Sequence, residues 1–330
     1  LEALDGAVRR AMETVRLRRE VALLRARERG DPDAGAMTAS ALQPSFEKLV
    51  ELAARNDDAP VLILGETGTG KGWVARRIHD ESRRAGQPFV EVNGASLSST
   101  FLESELFGHE KGAFTDAKQA KRGLLEVANG GSVFLDEVGE LTMDVQPKLL
   151  KVIEEQRYRR LGGTTELRSN ARVICATHRH LPDAVAGGRF RADLYYRLQV
   201  LTITLPPLRL RREAIPALAA GLLPRGATLS SAAGEALMSY DWPGNIRELK
   251  NTLWRAAILA EGVAIQPNHL GLPSKVNSSA QSDDTIMTLE AAEHRAIAAA
   301  LKATHGNRSA AATMLGISRS TLYQKLKLLP

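Results

Sequence analysis

Cysteine is almost absent from this chain, since its 330 residues include only Cys175. A single cysteine excludes an internal disulfide framework and a cysteine-rich metal cluster, which favours a reducing, cytoplasmic setting. Aromatic residues are also scarce, at 5%, and no apolar run approaches the roughly 18 residues of a membrane helix. The N-terminus has no apolar signal-peptide core. We therefore expect a cytoplasmic protein that does not associate with membranes.

The net charge is modest, at +6, and it is concentrated at the two ends. Residues 1–30 hold eight arginines against five acidic residues, and residues 288–330 hold six basic residues against two acidic ones. The long segment between them is close to neutral. Because nucleic-acid binding depends on basic side chains that neutralise phosphates, only the two ends are electrostatic candidates for it.

Patterning along the chain predicts several structural segments. An Arg-rich, helically spaced stretch opens the chain, as either a solvated linker helix or a short coiled coil. Five apolar runs, at 61–65, 89–93, 132–137, 172–177 and 200–205, then alternate with helical stretches, which is typical of a doubly wound parallel α/β sheet. The predicted segments are a linker helix (1–30), an α/β subdomain (38–206), a helical subdomain (207–273), a flexible linker (274–287) and a small all-helical domain (288–330).

A glycine-rich loop follows the first predicted strand and opens a helix. It consists of Gly65, Glu66, Thr67, Gly68, Thr69, Gly70, Lys71 and Gly72. Glycines let backbone N–H groups turn inward around phosphates, the helix N-terminus adds positive potential, and the lysine reaches the β and γ phosphates. Taken alone, the loop could also be a simple turn. Gly72 stands where such loops usually have a metal-binding Ser or Thr.

An acidic pair, Asp136 and Glu137, ends the third apolar run. This position places Asp136 at the carboxyl edge of the sheet beside the phosphate loop, where Mg²⁺ needs an oxygen ligand. Glu137 would then orient or deprotonate the attacking water. A lone acidic pair could simply cap a strand, but together with the loop it predicts nucleotide hydrolysis with Mg²⁺ as the metal.

Five separated motifs give the chain a resemblance to a known family. They are GETGTGKG (65–72), ELFGHEKGAFTDA (105–117), GGSVFLDEVGEL (130–141), FRADLYYRL (190–198) and WPGNIRELKN (242–251). In content, order and spacing the chain resembles the bacterial enhancer-binding proteins, AAA+ ATPases that activate RNA polymerase carrying sigma-54. The resemblance implies a P-loop AAA+ α/β fold with an α-helical lid, and assembly into a hexameric or heptameric ring.

The resemblance also implies roles for individual residues. The sigma-54-contacting loop matches Gly112, Ala113, Phe114, Thr115, Asp116 and Ala117, with Asp116 in place of the usual glycine. Asn93 matches the polar partner of the catalytic glutamate, Glu137. Arg191 and Arg197 match arginines that enter the neighbouring subunit's nucleotide site, whereas Arg247 matches a lid arginine that senses the γ-phosphate within its own subunit. The pair Thr177 and His178 stands where the family usually has Thr-Asn, so the nucleotide-sensing role of His178 is open.

The tail has the layout of a helix-turn-helix. Small alanines allow close helix packing, Gly316 permits the turn, and Ser318 can cap the second helix. It resembles the Fis-type DNA-binding domain, with a small dimerisation unit as the alternative. The residues expected to face a DNA major groove are Arg319, Ser320, Thr321, Gln324 and Lys325.

These features predict a sigma-54-dependent transcriptional activator that binds enhancer DNA and couples ATP hydrolysis to polymerase remodelling. The expected partners are sigma-54 holoenzyme, double-stranded DNA and other copies of the chain, as dimers that assemble into a ring. Residues 1–30 resemble the end of a receiver domain, which implies control by a sensor histidine kinase. One alternative is a DNA-binding regulator that has lost remodelling or ATP turnover, motivated by Gly72, Asp116 and His178. Another AAA+ class, such as a chaperone or helicase loader, leaves the loop at 112–117 and the tail unexplained.

Overall fold

A computed structural model describes residues 44–95, 99–273, 296–297, 300–301, 304 and 307–327. The chain divides into two compact units between Leu272 and Pro273. The helix predicted within residues 1–30 and the linker predicted at 274–287 lie outside the described residues. Among the helices that the structure describes, none combines the length and apolar character that a membrane crossing requires.

The strands of the first unit lie where the apolar runs predict them, with four short additions. They are Val61–Leu64 (β1), Phe89–Asn93 (β2), Gly108–His109 (β3), Lys121–Arg122 (β4), Ser132–Asp136 (β5), Arg157–Arg159 (β6), Glu166–Arg168 (β7), Arg172–Thr177 (β8) and Leu201–Thr204 (β9). Five of them form one parallel sheet in the order β2-β5-β8-β1-β9. All six residues of β8, the central strand, are buried, as expected where helices cover both faces.

Helices surround this sheet and continue beyond it. In the α/β subdomain they are Pro44–Arg55 (α1), Lys71–Asp80 (α2), Ser99–Phe107 (α3), Leu124–Val127 (α4), Gln146–Glu155 (α5), Leu181–Ala186 (α6) and Ala192–Leu198 (α7). The helical subdomain contains Ile215–Leu222 (α8), Ser231–Ser239 (α9), Asn245–Leu259 (α10) and Pro267–Leu270 (α11). The predicted class, a doubly wound α/β sheet followed by a helical subdomain, is confirmed.

Alternate residues of the inner strands enter two separate hydrophobic cores. Leu135 and Cys175 pack in the core that includes α3, α5 and α7, whereas Phe134, Ile174 and Ala176 pack on the other face with α1 and α2. This alternation follows from the two-residue period of a strand. Both faces of the sheet are therefore apolar and covered by helices.

A buried arginine joins α1 to the sheet. Arg172 is 2% exposed, and its Nη2 donates hydrogen bonds to the carbonyl oxygens of Ala53 at 2.6 Å and Asn56 at 3.0 Å. Its Nε donates to the carbonyl of Ala59 at 3.2 Å. These carbonyls belong to the end of α1 and the segment after it, where a helix leaves acceptors without intrahelical partners. Burial lowers the pKa of Arg172 to about 10.

The helical subdomain has its own core around Trp242. This side chain is fully buried, and its indole Nε1 donates a 2.8 Å hydrogen bond to the carbonyl of Leu237. Leu208, which follows the last strand, packs in the same cluster as Leu249 of α10. The subdomain is therefore a folded body that starts directly after β9.

Two short hairpins, β3-β4 and β6-β7, lie beside the loop at 112–117. They are joined because Glu110 N donates to Leu161 O at 3.0 Å and Leu161 N donates to Gly108 O at 2.9 Å. The sequence analysis did not identify these strands, since they are only two or three residues long and partly exposed. The loop at 112–117 connects β3 to β4, so the pairing of these two strands holds the ends of this segment together.

In the part of the second unit that the structure describes, Arg308–Met314 (α12) and Arg319–Lys327 (α13) are helices. Asn307 caps α12 by accepting hydrogen bonds from the N–H groups of Ser309 and Ala310. Ser318 caps α13 as predicted, because its Oγ accepts from Thr321 N at 3.1 Å. The helices pack through a small core at Ile297, Ala300, Ala311, Ala312 and Leu322.

Candidate functional site

The glycine-rich loop leads from β1 into α2, as the sequence predicts. Gly68 and Gly70 have φ angles of 81° and 98°, a region that side chains other than glycine rarely adopt. Helix α2 begins at Lys71 with Gly70 as its N-cap and no side-chain cap. The backbone N–H groups at the start of α2 can therefore serve a bound anion.

Lys71 is almost fully buried at the base of this loop, with 6% of its surface exposed. Its Nζ donates hydrogen bonds to the carbonyl oxygens of Gly65 at 3.0 Å and Glu66 at 3.3 Å. The same ammonium lies 3.8 Å from Oε1 of Glu137. The loop thus places the ammonium group of Lys71 beside the residue that follows β5.

A cleft of about 680 Å³ opens beside the loop. It brings together most of the predicted nucleotide and catalytic residues from the loop, from β2 and β5, and from the lid. The residues that line it are Thr67, Gly68, Gly70, Lys71, Gly72, Trp73, Arg76, Phe89, Glu91, Asn93, Asp136, Glu137, Leu222, Ile246, Arg247, Lys250 and Asn251. Its size and mixed lining suit a nucleotide-sized ligand.

Asp136 ends β5 directly opposite Asn93 in the register of β2 and β5. Burial, followed by the charge of Glu137, raises the pKa of the Asp136 carboxyl above its ordinary value. No group of three or more His, Cys, Asp or Glu that could hold a metal occurs among the described residues. A half-buried carboxylate of this kind fits Mg²⁺, which takes one or two protein carboxylates and completes its shell with phosphates and waters.

Glu137 follows with a left-handed backbone, at φ 56° and ψ 50°. Its Oε2 accepts hydrogen bonds from His178 Nδ1 at 2.7 Å, from His178 N at 3.2 Å and from Thr177 Oγ1 at 3.4 Å. Asn93, the partner that the resemblance implies, accepts from Ala95 N at 2.9 Å through its Oδ1. The role of Asn93 stays a prediction, whereas the contact of His178 with the glutamate is a direct observation.

The lid is attached directly to the loop. Asn245 Nδ2 donates to Glu66 Oε2 at 3.2 Å and to Thr67 O at 3.1 Å, while its Oδ1 accepts from Leu208 N at 2.7 Å. Arg209 forms a bidentate pair with Glu66, at 2.6 and 2.9 Å. The hydrogen bonds from Arg209, and then from Asn245, lower the pKa of the Glu66 carboxyl. Side chains of the lid and of the segment before it are therefore bonded directly to the phosphate loop.

The paired arginines lie elsewhere on the domain. Arg191 precedes α7 and donates to both carboxylate oxygens of Asp193, at 3.1 and 2.8 Å. Arg197 is exposed in the last turn of α7. Neither lines the cleft of this chain, so the structure does not bring them together with the other predicted site residues.

The loop at 112–117 is closed by backbone hydrogen bonds from Gly112 N to Ala117 O at 2.8 Å and from Ala117 N to Phe114 O at 2.9 Å. The ring of Phe114 lies edge-on to His109, with centroids 4.9 Å apart. Thr115 and Asp116 are exposed, and Ala113 is half-buried. Asp116 is not among the described non-glycine residues with positive φ, so an aspartate suits this backbone.

Several cleft residues were missed by the sequence analysis. Lys250 and Asn251 lie three and four residues after Arg247 on α10 and therefore share its face. Trp73 and Arg76 belong to the first turns of α2. Helical spacing from the two motifs could have identified all four.

The predicted DNA-facing residues all belong to α13. Arg319, Ser320 and Gln324 are exposed, whereas Thr321 and Lys325 are half-buried. Leu322, between them, is completely buried in the core of the unit. The helix thus presents a polar and basic face with an apolar face beneath it.

Family models match almost the whole of the described chain. Residues 37–204 match the Sigma-54 interaction domain. The chain belongs to the sigma-54 interaction domain family. Residues 209–287 match the AAA+ ATPase lid domain and residues 288–328 match the Fis family of bacterial regulatory proteins.

Individual relatives agree with this family assignment. The chain is 47% identical over 280 residues to the transcriptional regulatory protein ZraR of Klebsiella oxytoca, covering 82% of this chain and 63% of that one. It is 45% identical over 284 residues to the response regulator protein PilR of Pseudomonas aeruginosa, covering 82% and 64%. The chain therefore spans somewhat less than two thirds of the length of these curated relatives.

Among solved structures, the chain is similar to NtrX from Brucella abortus, with a TM-score of 0.69 and 33% identity. The match covers 99% of this chain and 74% of that one. NtrX in complex with ATP gives a TM-score of 0.66 at the same identity, covering 97% of this chain and 74% of NtrX.

Proposed function

We propose that this protein is an ATP-hydrolysing activator of transcription by sigma-54 RNA polymerase. The proposal rests on the cleft that brings together the phosphate loop, Asp136, Glu137 and Arg247. The same domain contains the loop at 112–117. Relatives named as transcriptional and response regulators and the ATP complex of NtrX support it.

Each group of cleft residues has its own role in hydrolysis. Gly65 to Gly70 present backbone N–H groups to the phosphates, and Lys71 neutralises the β and γ phosphates. Asp136 would hold Mg²⁺, which neutralises phosphate charge when bound. Glu137 positions and deprotonates the attacking water, and Arg247 approaches the γ-phosphate from the lid. Most of the catalytic effect comes from positioning and charge, as in other phosphoryl transfers.

Completion of the site depends on neighbouring subunits. Arg191 and Arg197 are separated from the cleft of their own chain, which fits a role in the cleft of the next subunit in a ring. An arginine supplied in trans raises phosphoryl-transfer rates by about 10³ or more in other systems. Dimers held on DNA by their tails would assemble such a ring in the cytoplasm, and a sensor histidine kinase would regulate assembly through a receiver domain.

Hydrolysis would be coupled to the polymerase through the loop at 112–117. This loop connects the two paired strands β3 and β4, and Phe114 and Thr115 would contact sigma-54. Capture of purified sigma-54 on the protein in the presence of ADP and a metal fluoride tests the proposal directly. We expect capture with the analogue and none with ADP alone, whereas failure to bind sigma-54 in every nucleotide state would contradict it.

A second candidate, a DNA-binding regulator with impaired remodelling, is favoured by Gly72 and by Asp116. Gly72 supplies no hydroxyl to a metal, and Asp116 adds a charge to the proposed sigma-54 loop. Comparison of wild type with Asp116→Gly in open-complex formation separates the two candidates. Activity in the wild type supports the activator, whereas activity only in Asp116→Gly supports the impaired regulator.

A further inference from the structure

A second cavity, of about 360 Å³, lies in the α/β subdomain. Its lining residues belong to α5, to β6 and the turn after it, and to the end of α3. None of them lines the nucleotide cleft. The volume lies within the range of small-ligand sites in proteins, and ATP hydrolysis gives this cavity no role.

Every charged residue that lines this cavity is a cation. Lys148 and Lys151 are one turn apart on α5, so they share a face of that helix, and Arg159 and Arg160 lie where β6 ends. Among the described residues, no ion pair includes Arg159. The walls of the cavity therefore carry positive charge without an acidic lining residue, which suits an anion.

The guanidinium of Arg160 is held in place by acids outside the lining. Its Nε and Nη2 donate to the two carboxylate oxygens of Glu126, both at 2.9 Å, and its Nη1 donates to Glu110 at 3.1 Å. These bonds use three of the five N–H groups of the arginine. Two N–H groups remain for a ligand, on a side chain whose position is already fixed.

The side chain of Tyr158 also lines the cavity and is only 3% exposed. Its hydroxyl is buried, and no described group forms a hydrogen bond with it. Burial, and then the charge of Glu126, raises the pKa of Tyr158, so the hydroxyl keeps its proton and is a donor. Buried polar groups nearly always have a partner, and a ligand in the cavity would supply one.

The cavity is in contact with the loop at 112–117. Gly162 lines the cavity, and a Cβ at this position would lie 2.9 Å from the Cβ of Ala113. Leu161, another lining residue, bonds through its N–H and carbonyl to Gly108 and Glu110, just before the loop. A ligand that moves this wall would therefore move the loop.

We propose that this cavity, where four cations and the unpartnered hydroxyl of Tyr158 share the lining, binds a phosphorylated small molecule that shifts the loop at 112–117. Phosphate oxygens accept hydrogen bonds from guanidinium, ammonium and hydroxyl groups together. The apolar part of the molecule packs on Phe107 and Leu161. This site is additional to the proposed ATPase function, and ligand binding to it requires no ATP turnover.

Phenyl phosphate is a suitable probe, because it combines a phosphate with a ring for the apolar wall. Phenol is the control probe without phosphate. Calorimetric titration is done with excess ADP present, so that nucleotide occupies the cleft. Tyr158→Phe removes only the hydroxyl and Arg159→Ala removes one cation. Arg168→Ala is the matched control variant, since Arg168 is an exposed residue of the same hairpin that does not line the cavity.

We expect wild type to bind phenyl phosphate with a Kd of about 0.1–1 mM and not to bind phenol. Tyr158→Phe and Arg159→Ala each raise the Kd about tenfold, because each removes a donor to an anion. Arg168→Ala stays within about twofold of wild type. The Tm of Tyr158→Phe is no lower than that of wild type, since the hydroxyl has no partner to lose in the free protein.

A fluorophore on the loop reports the second part of the proposal. Cys175 is completely buried, so an environment-sensitive dye attaches selectively to Thr115→Cys, an exposed position. We expect phenyl phosphate to change the dye emission with a midpoint equal to the calorimetric Kd. Adding Tyr158→Phe should raise this midpoint about tenfold.

The contrary results are distinct from failure of the ATPase. Absence of phenyl phosphate binding, equal Kd values in all variants, or a lower Tm for Tyr158→Phe would overturn the site. Binding without a change in emission would overturn the effect on the loop. Displacement of phenyl phosphate by duplex DNA would instead identify the cationic walls as a nucleic-acid surface and overturn the small-molecule assignment. Loss of ATP turnover alone would contradict the proposed function and leave this site standing.

Discussion

The backbone N–H of Ile246 donates a 2.9 Å hydrogen bond to the carbonyl oxygen of Gly68. This bond joins the first turn of the lid helix α10 to the phosphate loop. Arg247, the proposed γ-phosphate sensor, is the next residue of α10. A shift of the loop when nucleotide binds would therefore reach the lid through direct contacts.

Gly68→Ala tests this close approach. A Cβ at position 68 would lie 2.4 Å from the carbonyl oxygen of Gly244, and the φ of +81° is unfavourable for alanine. We expect nucleotide affinity to fall at least about tenfold, as measured by titration with a fluorescent ATP analogue. Gly86→Ala is the control, since nothing lies within 4 Å of its Cβ position. Equal nucleotide affinities of Gly68→Ala and wild type would show that the close approach of Gly68 to Gly244 does not limit nucleotide binding.

Asp136→Asn should stabilise the nucleotide-free protein while it weakens Mg²⁺-dependent nucleotide binding. The pKa of Asp136 is raised in the folded state, first by burial and then by Glu137. The free energy of unfolding therefore decreases as the pH rises from the ordinary pKa of 3.8 to the raised pKa of Asp136 in the folded state. At neutral pH the folded chain contains a poorly solvated charge, which asparagine lacks. Thermal melting should show a higher Tm for the variant at pH 7 and a smaller difference near pH 4; a lower Tm at pH 7 would contradict this.

Arg172→Ala should destabilise the α/β subdomain by about 2–4 kcal/mol, because buried carbonyls at the end of α1 lose a charged donor. Chemical denaturation of the protein measures the change. Arg55→Ala is a suitable control, because the Arg55 side chain is 79% exposed and its pair with Glu51 lies on the helix surface. Similar free energies of unfolding for the two variants would show that the buried contacts contribute little.

The sequence was informative where a local pattern determines the structure. Runs such as VLIL at 61–64 are apolar at every position because helices cover both faces of their strand, and glycines mark the loop that follows. It did not show which lid side chains pair with the phosphate loop. Glu66 and Arg209 are 143 residues apart, and nothing local to either residue indicates that they pair.

The pairing of His178 with Glu137 shows the same limit at the site itself. The two residues are separated by 41 positions and meet because β5 and β8 are neighbours, although β5 and β8 are separated by α5 and a hairpin in the chain. The family pattern indicated that His178 is unusual without indicating its partner. Sheet order, which depends on packing of the whole domain, supplies that information.

Arg319→Ala tests whether helix α13 of the tail contacts DNA. Arg319 is the first, exposed residue of α13. We expect its loss to weaken binding to a target DNA duplex by about tenfold. If Arg319 contacts a phosphate, the slope of log affinity against log salt concentration should also fall by about one. Arg225→Ala, an exposed arginine of the lid subdomain, should bind DNA like the wild type. Equal DNA affinities of the two variants would refute the assignment of α13 as the DNA-contacting helix.

Open-complex formation tests the central claim most directly. Purified protein, sigma-54 holoenzyme and a sigma-54 promoter are incubated with ATP, and heparin-resistant complexes are counted for wild type and Glu137→Gln. The account predicts open complexes with wild type and ATP, and almost none with a non-hydrolysable analogue or with Glu137→Gln. Open complexes that form equally well with Glu137→Gln, or none with wild type and ATP, would contradict it.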